Sequence, residues 1–374
     1  MGSLNVVVVG AGAFGGWTAL ECAKRGAKVT LVDAWEPGHG RASSGGDTRV
    51  IRHGYGPQGL YVDMVRRALE RWRKAPEELG ESLFDQAGVL WLVQEDEEFE
   101  LQSLADMQRE GVPVERLDLA AIGERWPQIC LDGVRWGMLE PTAGALHARR
   151  ACRAVVRSLE ASGGKLVRGK VLPIEAAPGP LGEIQLEDGR RLDADQFVFA
   201  GGPWMGELCA DVLGPLLEVT RQEVFTFGPP PGDSRFDMGA LPAWADHSEH
   251  FWYGIPGNDA RGFKLGRDTI GALFDPTTGE RQANPEELAA VREYLAMRFP
   301  AMAGAPLLES RVCQYTNTPD RQPIIDQHPQ HPNLRLMAGA SGHGFKLGPV
   351  FGEDVAAWIF GGPRLDATFD LARF

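Results

Sequence analysis

Three short stretches of this 374-residue chain hold residues whose types and spacing could do chemistry. In GAGAFG, Gly10, Gly12 and Gly15 follow the apolar run NVVVV and precede a helical pattern, with Asp33 closing the next apolar run. Glycines so placed let backbone N–H groups approach a pyrophosphate at a helix N-terminus, and the acid would accept hydrogen bonds from ribose hydroxyls. A dinucleotide is expected, and the motif does not separate NAD from FAD. In GRASSGGDTRVIRHGYG, residues Ser43, Ser44, Asp47 and Thr48 could hold a ligand through backbone and hydroxyl contacts. Arg49 and Arg52, three apart, are expected to leave one face of a turn or helix start together, either as ligand-binding cations or as solvated surface arginines. The third stretch, CQYTNTPDRQPIID, contains Cys313. Cysteines at 22, 130, 152, 209 and 313 are odd in number, scattered and without a CxxC pair, which argues against a disulfide framework and a zinc site. Alone, Cys313 reads as a small apolar strand residue or as an attachment point.

These residues need a scaffold. NVVVVGAGAFGGWTALECAKRGAKVTLVD reads as strand, glycine turn, helix and strand, a βαβ unit. A helix follows with Leu60, Tyr61, Met64, Val65, Ala68, Leu69 and Trp72 on one face, the pattern of core packing. AGVLWLVQ then predicts a strand and EEFELQSLADMQREG a helix. HARRACRAVVRSLEASGGKLVRG gives helix and strand, VLPIEAAPGPLGEIQLEDGRRLDAD a turn-rich meander, and QFVFAGGPWMGEL a buried strand at a sheet edge. Strands dominate 216–312, interrupted by a helix with Asn284 as N-cap, Pro285 at N1, Glu287 at N3 and Leu288, Val291 and Leu295 inward. Strand, glycine-rich loop and helix end the chain. The expected fold is α/β: a discontinuous Rossmann-type domain (1–84, 140–215 and 313–374) with an inserted α+β substrate domain on an antiparallel or mixed sheet (85–139 and 216–312), and a ligand between them.

Lys and Arg number 38 against 51 Asp and Glu, a net charge of -13, and no basic run could track a phosphate backbone. Nucleic acid and anionic membrane are therefore not expected as partners. An anionic substrate would need a local basic cluster to overcome this field. The first apolar run breaks at Gly10, too soon for a signal peptide or a membrane span of about 20 residues. A cytoplasmic enzyme without a metal site is the expectation.

SSGGDTRVIRHGYG, CQYTNTPDRQPIID and SGHGFKLGP, far apart but in matching order, together resemble one known family. It is the monomeric sarcosine oxidase, N-methyltryptophan oxidase and pipecolate oxidase branch of the D-amino-acid-oxidase-like flavoproteins, and the likeness spans nearly the whole chain. The resemblance implies an FAD-binding Rossmann-type domain and oxidation of a secondary amino acid at its C–N bond, with oxygen reduced to hydrogen peroxide. It implies a thioether from Cys313 to the flavin 8α-methyl carbon, formed by a thiolate beside cations, with Arg49 as the cation next to the flavin. Arg52 and Lys346 would grip the substrate carboxylate, one as a planar fork and the other as a point charge. Lys264 would promote the reaction with oxygen by stabilising superoxide-like charge, and Tyr253 and Tyr315 would line the substrate site. Cofactor contacts are implied at Gly10, Gly12, Gly15, Asp33, Ser43, Ser44, Thr48, Arg49, Val171, Cys313, Gly342, Gly344 and Lys346, with the positive end of the last helix facing the flavin. Lys346 is expected on a surface loop, and His343 in a structural role. Two departures matter. Gly45 stands where sarcosine-type members carry a histidine, which removes a cation near the flavin. Asp268 replaces a second histidine, which would favour a cationic or larger amine over sarcosine. The expected partners of this monomer are a small amino acid with a free carboxylate and O2. Competing readings are a dehydrogenase that passes electrons to another acceptor and a non-catalytic flavin-binding protein.

Overall fold

The computed structural model describes residues 3–95, 97–247 and 250–374. Its first layer is a six-stranded sheet in the order Ile324–Gln327, Leu334–Ala338, Gln196–Phe199, Asn5–Val9, Lys28–Asp33, Lys165–Arg168. All neighbours run parallel except the first pair. Both faces of this sheet are covered, and the strand residues that point into each layer are apolar. Phe197, Val198 and Phe199 are fully buried, which places Gln196–Phe199 inside the sheet and not at the expected edge. Helices Ala13–Lys24, Ala148–Ala161 and Gly348–Ile359 share a core with this sheet. Leu60–Arg73 packs beside them and buries Tyr61, Met64, Val65, Ala68, Leu69 and Trp72, whereas Leu60, at its first turn, is exposed.

The second layer is an eight-stranded sheet in the order Leu307–Asn317, Glu218–Phe227, Phe263–Asp268, Phe251–Ile255, Ala243–His247, Val89–Val93, Trp136–Glu140, Glu115–Leu117. Only Ala243–His247 and Val89–Val93 pair in parallel. One face presents Phe225, Phe263, Leu265 and Trp244 to helix Pro285–Arg298. Asn284 caps that helix by accepting from Glu286 N at 2.8 Å; Val291 and Leu295 are buried, and Leu288 is partly so. Residue 313 lies within Leu307–Asn317, which pairs along the whole of Glu218–Phe227, so a domain division there runs through a strand. The expected meander forms the hairpin Glu183–Gln185 and Arg191–Asp193. A third small sheet, Thr48–Ile51 with Gly144–His147 and Phe84–Asp85, lies between the layers. Arg49 is therefore on a strand and Arg52 just beyond it, not together on a turn or helix start. Among the described residues, no helix is long and apolar enough to cross a membrane, and no cluster of His, Cys, Asp and Glu could hold a metal ion.

Candidate functional site

The glycine turn closes because side chains are absent from it. Gly10 has φ +102, and a Cβ there would lie 2.3 Å from Ala200 O; at Gly15 a Cβ would lie 2.0 Å from Gly10 O. Strand, turn and helix can touch only with glycine at both positions. Asp33 accepts from Ala11 N (2.7 Å) and Trp35 N (2.9 Å), so its carboxylate organises this turn as well as facing the cavity. Burial pushes the Asp33 carboxyl above its usual range, and those two N–H groups oppose the rise. Ser44 Oγ accepts from Ala13 N at 3.2 Å, while Ser43 Oγ donates to Gln314 O at 3.1 Å. Both serines thus tie the polar loop to its surroundings. From Gly10 and Gly12 a cavity of about 870 Å³ runs past Val171 to the eight-stranded sheet.

Strand alternation decides what that sheet presents. Lys264, Gly266 and Asp268 share one face of Phe263–Asp268; Gln222, Val224 and Thr226 share the same face next door. Cys313, paired with Gln222, joins them with Arg311 and Tyr315, and Tyr253 pairs with Gly266 from the other side. A Cβ at Gly266 would sit 3.3 Å from the Tyr253 hydroxyl, so the missing side chain makes room for the ring. The Tyr315 ring likewise fills the space over Gly342, where a Cβ would come within 2.6 Å of it. Burial raises both tyrosines above the usual phenol range, which keeps their hydroxyls protonated. Lys264 is buried and donates to Thr48 O at 2.9 Å. Burial, then the neighbouring Arg49, lowers its pKa to about 7.

Three further cations come from outside that sheet. Arg49 donates to Thr48 O (2.7 Å) and Ser43 O (2.5 Å). Arg52 donates to Gly54 O and lies 4.8 Å from the Tyr55 ring centroid and 5.0 Å from that of Trp91. Lys346 is 4 % exposed, not on the surface as expected; Trp72, stacked on Phe345, donates to its carbonyl at 2.8 Å. Its ammonium donates to Tyr55 OH (2.8 Å) and His343 O (2.7 Å), and burial, then Arg52, holds its pKa well below the usual lysine value. His343 meets Tyr55 OH at 3.2 Å and Arg321 O at 3.0 Å; burial and Lys346 lower its pKa to about 3, leaving it a neutral bridging group. Gly344 leaves room for Phe14 and Ala340, each 2.8 Å from where a Cβ would be.

Three contributors escaped the sequence reading. Glu140, fully buried, accepts from His53 N (2.5 Å), Gly54 N (3.1 Å) and Trp91 Nε1 (2.9 Å), and so fixes the turn after Arg52. Tyr55 is the hydroxyl partner of Lys346. Arg311 lies two residues before Cys313 on the same strand face, where the period of two could have revealed it. At Gly45 a Cβ would meet His39 O at 1.8 Å and Arg311 at 3.0 Å, so no side chain fits and a guanidinium occupies the neighbourhood.

The glycine cradle, excluded to side chains and open to the cavity, suits a dinucleotide. A profile described as FAD dependent oxidoreductase, of the DAO family, matches residues 5–358. The chain belongs to this family. Among the DAO relatives, monomeric sarcosine oxidase of Bacillus sp. (strain B-0618) is 33% identical over 354 residues, 93% of this chain and 90% of that one. N-methyl-L-tryptophan oxidase of Salmonella arizonae (strain ATCC BAA-731 / CDC346-86 / RSK2980) is 30% identical over 382 residues, 99% of each. In structure, L-proline dehydrogenase from P.horikoshii superposes with a TM-score of 0.85 at 26% identity, covering 100% of this chain and 98% of that one. Glycine oxidase from Geobacillus kaustophilus, TM-score 0.82, 20% identity and 100% coverage of both chains, shares the fold.

Proposed function

We propose that this DAO-family protein is an FAD-dependent amine oxidase that converts a secondary or related amino acid to an imine and forms hydrogen peroxide. One observation carries the reading: a cavity that begins at the dinucleotide turn is faced by Cys313 and Lys264 from the sheet and by Arg52 and Lys346 from outside it. Bound FAD supplies the two-electron acceptor. Arg52 and Lys346 hold the substrate carboxylate, each charge-assisted hydrogen bond contributing about 1.5–3 kcal/mol. Tyr253 and Tyr315 close the site as hydroxyl donors and exclude water. Lys264 holds a positive charge, desolvated by its burial, where oxygen reacts. Cys313 is the attachment point, with the guanidinium groups of Arg281 and Arg311 as its charged neighbours. The enzyme acts as a cytoplasmic monomer in this reading.

Two measurements test it. Peroxide should appear in step with amino-acid loss, and yellow colour should stay in the pellet after acid precipitation. Colour found wholly in the supernatant removes the Cys313 linkage but not the oxidase. The likeness to L-proline dehydrogenase favours a second reading, electron transfer to another acceptor. Substrate consumed under air without peroxide would establish it.

A further inference from the structure

Asp268 is the one acid among the functional positions on the cavity face of strand Phe263–Asp268, and its Oδ1 is buried without a hydrogen-bond partner among the described residues. A buried carboxylate oxygen is costly unless something donates to it. The cations around it are engaged elsewhere. Lys264, four residues earlier and so about 13 Å along the strand, donates to Thr48 O. Lys346 donates to Tyr55 and His343, Arg49 to Thr48 and Ser43, and Arg52 to Gly54. Arg267, next in sequence, pairs with Glu287, and Gln222 Nε2 donates to Thr269 O. The Asp268 charge nevertheless acts on the Tyr253 and Tyr315 hydroxyls and on Lys346, so these groups share one field. One cavity thus has a doubly cationic wall at Arg52 and Lys346 and an unanswered carboxylate on the sheet.

We propose that Asp268 is the specificity-determining anchor of this site and that the substrate is a diamino acid, its carboxylate held at Arg52 and Lys346 and a second ammonium or guanidinium group held by Asp268. The inference rests on the reading of the cavity as an amino-acid site. Neighbouring Tyr253, Tyr315 and Phe251 give the cation aromatic rings as well as a carboxylate, and both attract positive charge. The Tyr253 hydroxyl approaches the sheet at Gly266, between Lys264 and Asp268, so this tyrosine stands beside the carboxylate. An amino acid with an apolar end would leave the buried Oδ1 of Asp268 unpaired, which is a penalty against the wrong substrate.

The test separates binding from turnover. Calorimetric titration of the purified holoenzyme with 5-aminopentanoate and with pentanoate compares equal chains with and without the terminal ammonium. The cationic acid should bind about tenfold or more tightly. Asp268→Asn should erase the preference, and Asp268→Glu, which keeps the charge, should retain part of it. Equal binding of the two acids, or an equal loss of both in Asp268→Asn, overturns the assignment; the second result would put the carboxylate in the framework. Peroxide assays with Nα-methyl-ornithine and N-methyl-norvaline form the other arm, with ornithine-type turnover favoured by a similar factor. A binding preference without peroxide from either would leave Asp268 standing and remove the oxidase reading; equal turnover of both would do the reverse.

Discussion

Two carboxylates on the eight-stranded sheet, Asp246 and Asp268, have opposite circumstances. Asp246 is fully buried and accepts from Gln94 Nε2 (2.7 Å), Tyr294 OH (2.7 Å) and Arg298 Nε (2.9 Å), joining the sheet to helix Pro285–Arg298. Asp268 faces the cavity with an oxygen that has no donor among the described residues. Charge taken out of water must be answered within the fold or by a ligand. The helix side of the sheet answers it with protein, and on the cavity side the answer is left to what binds there. The same division holds for cations: Arg298 is spent on structure, whereas Arg52 and Lys346 make neutral contacts that leave their charge available.

Removing charge from each side should therefore have different costs. Asp246→Asn strands the Arg298 guanidinium and should destabilise the protein by about 3–5 kcal/mol, read as a large drop in thermal midpoint; a midpoint near that of the parent would contradict the architectural role. On the cavity side, Lys264→Met should slow flavin reoxidation by roughly a hundredfold to a thousandfold while stopped-flow flavin reduction by substrate is nearly unchanged. Arg52→Ala should weaken carboxylate binding by about tenfold or more, without a matching loss of stability. The pH profile of reoxidation sharpens the distinction. A lysine whose pKa is about 7 carries its charge below that pH and loses it above, so the rate should fall as pH rises through neutrality. In Lys264→Met that fall should disappear, and a persisting one would assign it to another group. Smallest of all, Asp268→Asn should leave the stability within about 0.5 kcal/mol of the parent or raise it, read as a nearly unchanged thermal midpoint, since no hydrogen bond to its buried Oδ1 from the described residues is lost.

What could be read from the sequence follows from how local each signal is. The dinucleotide turn was legible because Gly10, Gly12, Gly15 and the flanking strands lie within thirty-three residues and each has a steric reason. Lys264, Asp268 and Cys313 were found through a family resemblance, but only strand pairing brings them to one face. Glu140 could not be found: its donors at His53, Gly54 and Trp91 are 49 to 87 residues away, and nothing local marks it as more than a strand acid. Lys346 was misjudged as exposed because burial came from Trp72 and Tyr55, nearly three hundred residues earlier in the chain. Arg49 and Arg52 were expected to leave one face of a turn or helix start together, whereas pairing with Gly144–His147 puts Arg49 on a strand that ends just before Arg52.

Gly266 lies at the middle of this arrangement, between the lysine and the carboxylate, with Val224, Glu223 and Tyr253 all within 3.3 Å of a would-be methyl. Its missing side chain is what lets the Tyr253 hydroxyl come close to the sheet between two ionisable groups. A methyl there would press on the Val224 side chain, the Glu223 carbonyl and the Tyr253 hydroxyl together. A residue with no side chain on one strand thereby governs the placement of a tyrosine on the next.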